Sequence, residues 1–234
     1  MTFSVDTNIV IGVINPKDNL HKRAASLVNA ESKKRPLVPL ITVITETKST
    51  FGRKYNKAAG LIFAAINKAR RETVRDDDYA KKTVDAMDHL VKTNPDIDGF
   101  IKLIYYEQIK ENLPQKDMET AFKKVSAKGR EYMADVEAAL RREANNNTEY
   151  AAAADKRYLD TQKEAQNIIK GIYYKDETDR LIFLEAVTYA HVTDRALEHY
   201  TNDNECINQS ELSLKKIKAE KKYANNKLRV KKLP

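Results

Sequence analysis

The sequence predicts an α/β protein whose central, mostly parallel sheet comes from the two ends of the chain, with a large all-helical insertion between them. Three observations predict it. The first fifty residues alternate between short apolar runs and helical spacing, the pattern of a parallel sheet with crossover helices. Residues 53–171 are instead rich in Ala, Lys, Glu, Arg and Gln, with few prolines and no strand signal. Beyond Lys170 the mixed pattern returns.

Taken in order, "TFSVD" reads as a strand ending at Asp6, and Asn8 to Ile14 as the start of a helix. Pro16 with Asp18 and Asn19 predicts a turn. Leu20, Ala24, Leu27 and Val28 in "LHKRAASLVNAESKK" have helical spacing. "RPLVPLIT" reads as a second strand, after which Thr42 or Thr45 would cap a helix that carries Glu46 in its first turns. The middle reads as about five helices, broken at "TNPDIDG", "ENLPQKD" and "NNNT". Its last two, "EYMADVEAALRREA" and "EYAAAADKRYLDTQKEAQNIIKG", form a hairpin turned at Asn145–Asn147. "GIYYKDETDRLIFLEAVTYAH" opens on a short β-like run. Asp176, Glu177 and Asp179 then supply the negative charge a helix N-terminus favours. "ALEHYTND" reads as the last strand, ending in Thr201-Asn202-Asp203.

The remaining composition narrows the function classes. A single cysteine, Cys206, excludes an internal disulfide framework, and four scattered histidines lack zinc-finger spacing. No apolar stretch approaches the roughly 20 residues of a membrane span, and no cationic-then-apolar leader is present. A cytoplasmic protein without membrane partners is the expectation. The net charge of +8 is unevenly placed: residues 215–234 hold nine Lys or Arg and one acid, leaving 33 of each sign in the other 214 residues. Such a tail, with Lys215, Lys216, Lys218, Lys221, Lys222 and Arg229, gathers phosphates or is simply a solvated, flexible end. Lys68–Arg71 with Arg75 is a second basic spot that equally suits a solvated helix face. Tyr105, Tyr106, Tyr132, Tyr150 and Tyr158 suit either base stacking or, the reading given more weight, helix packing.

Four acids recur at one topological place. Asp6 ends a strand, Glu46 and Asp179 lie at helix starts, and Asp203 ends the last strand. In a parallel sheet these positions share the carboxyl edge, where ligands bind. Carboxylates gathered there repel unless a hard divalent cation neutralises them, and Mg²⁺ or Mn²⁺ takes oxygen ligands.

Four blocks, in this order, resemble those of PIN-domain ribonucleases, the family that holds the toxins of many prokaryotic toxin–antitoxin pairs. They are "VDTNIVIG", "LITVITETKSTF" with Thr42 and Glu46, "DRLIFLEA" with Asp179, Ile182 and Ala186, and "YTND" with Thr201 and Asp203. The resemblance implies a PIN-like αβα sandwich and a Mg²⁺- or Mn²⁺-dependent endoribonuclease. Asp6, Glu46, Asp179 and Asp203 would bind metal, with Asn8, Thr42 and Thr201 as polar support. Asp176, three residues before Asp179, is the alternative third acid. The catalytic core would comprise residues 1–52 and 172–214, the insertion 53–171 and the basic tail 215–234. RNA is the implied substrate, an antitoxin-like protein and a second copy of the chain the implied partners. The resemblance does not extend over the insertion, which would serve as an RNA clamp, a dimerisation arm or a partner surface. The alternative is a catalytically weak PIN-like scaffold whose insertion binds RNA or protein. A purely helical interaction protein ranks last, because it leaves the two ends unexplained.

Overall fold

The computed structural model describes residues 1–73, 76–110, 117–149 and 155–234. Arg75 and Tyr150, singled out above, lie outside them, as does most of "ENLPQKD". The elements run β1 (Thr2–Val5), α1 (Thr7–Ile14), α2 (His21–Ser32), α3 (Ile41–Arg71), α4 (Asp76–Thr93) and α5 (Asp98–Ile104). They continue with α6 (Met118–Ala134), α7 (Val136–Glu143), α8 (Lys156–Ile168), α9 (Glu177–Val192), β2 (Leu197–Thr201), α10 (Asn204–Ala219) and β3 (Leu228–Lys232). Between α5 and α6 the helix widens to a π-turn over Tyr105–Ile109.

The strands form one parallel sheet in the order β1-β2-β3. Every residue of β1 and β2 is buried, as in a parallel sheet covered on both faces. β2 lies beside β1 from the far end of the chain, with Val5 in register with Tyr200. The mixed α/β class and the parallel sheet therefore agree with expectation, although helix dominates the chain. Among the described residues, no helix is long and apolar enough to cross a membrane.

"RPLVPLIT" is not a strand of the sheet. Pro36 and Pro39 have no N–H to give a ladder, so Leu37 makes only isolated bridges, to Phe3 and to Thr148. Nor does Thr42 or Thr45 cap α3. The Glu185 carboxylate of α9 does so instead, accepting the N–H groups of Ile41 at 2.6 Å and Thr42 at 2.9 Å. The run after Gly171 is not a strand either: Gly171 turns at φ 93° and Tyr173 is exposed. Asn145 and Asn146, at φ 52° and 57°, make the expected turn after α7, and beyond it the next described helix begins at Lys156.

Residues 215–234 are folded into the protein, which corrects the expectation of a flexible tail. Ile217 and Tyr223 are buried, and β3 pairs with β2 from Leu197↔Leu228 to Thr201↔Lys232. "ALEHYTND" is thus the central strand, and the last strand is β3. Leu228 and Leu233 anchor that strand in the core while Arg229 and Lys232 stay exposed, so its charge does not prevent burial.

One continuous apolar core joins the sheet to the helices. α3 runs through residue 52 unbroken and packs on α4, α5 and α6, with Phe51 edge-on to Phe100 at 5.0 Å. Tyr105 and Tyr158 are packing residues, 1% and 3% exposed; Tyr106 is exposed.

Candidate functional site

The carboxyl edge of the sheet gathers the acids through a chain of hydrogen bonds. Asp6 follows β1 and caps α1, its Oδ1 accepting the Thr7 N–H at 2.7 Å. The Thr7 hydroxyl, one residue on, donates to the Glu46 carboxylate in the second turn of α3. On its other side Asp6 Oδ2 accepts the Thr201 hydroxyl at 2.8 Å. The same Thr201 oxygen accepts the Asp203 N–H at 3.1 Å, and Asp203 caps α10 by accepting the N–H groups of Glu205 and Cys206. Glu46, Asp6 and the start of α10 are thereby tied together by two threonines.

Asp179 stands in the first turn of α9 and senses all of them. Burial, then the negative charges of Asp6, Asp176, Asp203 and Glu46, push its carboxyl up to about 7. Glu46 is also raised, by burial and by Asp6 and Asp176, against the opposing Thr7 hydrogen bond and the Arg53 charge. Asp176 caps α9 through the Thr178 N–H at 2.8 Å and adds its charge from an exposed position. The buried Cys206 thiol is pushed up to about 12 by burial and by Asp179 and Asp6, and stays neutral.

The donor set here, carboxylates only, is of the kind a hard divalent ion would take. Asp6, Glu46, Asp179 and Asp203 would hold it. Among the described residues no three Asp, Glu, His or Cys side chains form a group that could hold a metal ion.

Of the supporting residues, Thr201 lies at the centre of the network, Asn8 is exposed on α1, and Thr42 is held by its amide rather than its hydroxyl. The basic residues divide. Lys215, Lys216, Lys218, Lys221 and Lys222 occupy the C-terminal end of α10 and the segment after it, whereas Asp203 caps its first turn. At about 1.5 Å per residue, Lys215, Lys216 and Lys218 lie about 18–22 Å from Asp203 along the helix axis. Lys222 pairs with Glu164, and Arg229 lies 3.9 Å from Glu198. Sequence reasoning missed Thr7, which only its place beside Asp6 marks, and Glu185, which looks like one more residue of an apolar helix.

No protein-family model, curated protein or solved structure matches the chain.

Proposed function

We propose that the protein is a metal-dependent endoribonuclease of PIN-like architecture that hydrolyses RNA phosphodiester bonds. One observation carries the reading: Asp6, Glu46, Asp179 and Asp203, spread over nearly two hundred residues, act on one another at the carboxyl edge of a parallel sheet. Buried Asp6 is the fixed centre of the group, oriented on one side by the Thr7 amide and on the other by Thr201. Thr7 aims Glu46, and the Glu185 cap fixes the end of the helix from which Glu46 projects. Mg²⁺ or Mn²⁺, when bound, supplies charge neutralisation and the Lewis acidity that makes water a nucleophile near neutral pH. The exposed Asp203 and half-buried Asp179 leave the cluster open to solvent on one side, where a phosphodiester enters. The helices of residues 53–171 are the surface for further RNA or protein contacts.

The test is cleavage of an end-labelled RNA in Mn²⁺ or Mg²⁺. Internal cuts that vanish in Asp6→Asn are expected. Absence of cleavage by the wild type in both ions, or persistence in the variant, would overturn the reading.

A further inference from the structure

An acidic cluster repels the polyanion it is proposed to cut, so the chain needs cations beside the cluster that are free to take phosphates. Most nearby ones are already engaged. Arg180, next to Asp179, bonds Glu177 at 2.5 Å, and Lys175 lies 3.4 Å from Glu205. Lys231 pairs with Glu198 at 2.6 Å on the opposite face of the sheet.

Two cations are different. Arg53 lies seven residues after Glu46 on α3, which returns it to the same helix face about 10 Å along the axis. It is exposed, and its charge is felt at the Glu46 carboxylate. Lys232 ends β3 in register with Thr201, the residue that bonds Asp6. Registered side chains share a face, and neighbouring strands are about 4.8 Å apart. Lys232 therefore stands on the Thr201 side of the sheet, while Lys231 faces away. Its backbone is fixed: the Leu233 N–H donates to Thr201 at 2.8 Å and Arg23 donates to the Leu233 carbonyl at 2.9 Å. Among the described residues neither Arg53 nor Lys232 has an ion-pair partner within 4.0 Å.

We infer that Arg53 and Lys232 bracket the acidic cluster and hold the backbone phosphates of single-stranded RNA on either side of the bond to be cut. The inference rests on the nuclease reading. It sets the course of the strand from α3, across Asp6 and Thr201, to the end of β3, and it makes the lysines near the end of α10 spectators.

The experiment is fluorescence anisotropy of a labelled oligouridylate on the full chain. Mn²⁺ is present and the Asp6→Asn background prevents cleavage. Affinity is measured from about 50 to 200 mM salt. Loss of one phosphate contact lowers the slope of log K against log salt by about 0.7 and weakens binding on the order of fivefold at the low-salt end. Arg53→Gln and Lys232→Gln should each do this, their double variant about twice as much, and Lys81→Gln on α4 neither. Arg53→Lys and Lys232→Arg should restore the slope. Slopes unmoved in both Gln variants of a protein that binds and cuts RNA overturn the bracket alone. A wild type that neither binds nor cuts overturns the nuclease reading and the bracket with it.

Discussion

The Thr201 hydroxyl donates to Asp6 across 2.8 Å and joins residues 195 positions apart at the centre of the acidic edge. Both groups are buried, and the same oxygen accepts the Asp203 amide. Thr201→Val keeps the shape and deletes both roles. A hydrogen bond to a buried charge contributes about 1.5–3 kcal/mol, and its loss leaves Asp6 under-satisfied. Urea unfolding should show a loss of about 2 kcal/mol, whereas Thr201→Ser, which keeps the hydroxyl, should recover most of it. Equal losses in the two variants would mean that packing, not the hydrogen bond, makes this residue matter.

Asp179 makes the strain at the acidic edge measurable without any substrate. Its folded carboxyl sits at about 7, far above the usual 3.8, through burial and its acidic neighbours. A raised carboxyl contributes stability below about pH 4 that is lost as pH rises through about 7, because ionisation is then resisted only in the fold. Above pH 7, without divalent ions, Asp179→Asn should therefore melt a few degrees higher than wild type, and the gap should close toward pH 4. Mn²⁺ should raise the wild-type Tm more than that of the variant. A wild type that melts above the variant at pH 8 without metal would show that Asp179 is not held under repulsion.

How much of the fold and site was legible depends on the kind of signal each residue leaves. Asp6, Thr201 and Asp203 stand where apolar strand residues give way to turn and cap chemistry, so strand ends and acids could be read together. Glu185 leaves no such mark: its job, capping α3, is done for a helix some 140 residues earlier in the chain. Only the packing of α9 against the start of α3 shows it. β3 was hidden by its charge, since Arg229, Lys231 and Lys232 outweigh Leu228 and Val230 in any compositional view. The alternation of Leu228, Arg229, Val230 and Lys231 was nevertheless a strand signal. "RPLVPLIT" erred in the other direction: its apolar content promised a strand, and two missing proline N–H groups forbade the ladder.

Glu198 provides the pH test that does not involve the candidate site. Burial would raise its carboxyl, but hydrogen bonds and charge from Lys231 and Arg35 overcome this and hold it at about 2. Arg35 bonds it at 2.6 Å while its guanidinium lies over the Phe3 ring. A depressed carboxyl contributes stability above its ordinary value of 4.5 that is lost as pH falls toward about 2. Glu198→Gln should cost about 2–3 kcal/mol at neutral pH, because it leaves the buried Arg35 guanidinium with Glu31 as its one remaining carboxylate partner. The difference from wild type should shrink steadily between about pH 5 and pH 2. A difference independent of pH would mean that side-chain shape rather than charge sets the cost.

Whether the helices of residues 53–171 fold with the sheet or apart from it is decided along α3. This helix belongs to both, carrying Glu46 near its start and Tyr55 about two and a half turns further on. Tyr55 is 1% exposed, its hydroxyl within reach of both Gln108 and the Val125 carbonyl, at 2.7 and 3.0 Å. A Cβ at Gly129 on α6 would come within 2.5 Å of that ring, which already packs on the Phe51 and Tyr132 rings. Gly129→Ala should therefore cost about 1–3 kcal/mol by overpacking. Gly60, exposed on α3 with nothing within 4 Å of its Cβ position, is the counterpart. Gly60→Ala should stabilise by about 0.5–1 kcal/mol through helix propensity alone. Because a single apolar core runs from β1 to α6, both changes should move one cooperative transition, detected identically by far-UV circular dichroism and by tyrosine fluorescence. Two separate transitions, with only one shifted by Gly129→Ala, would show the helical segment to be an independent unit through which α3 merely passes.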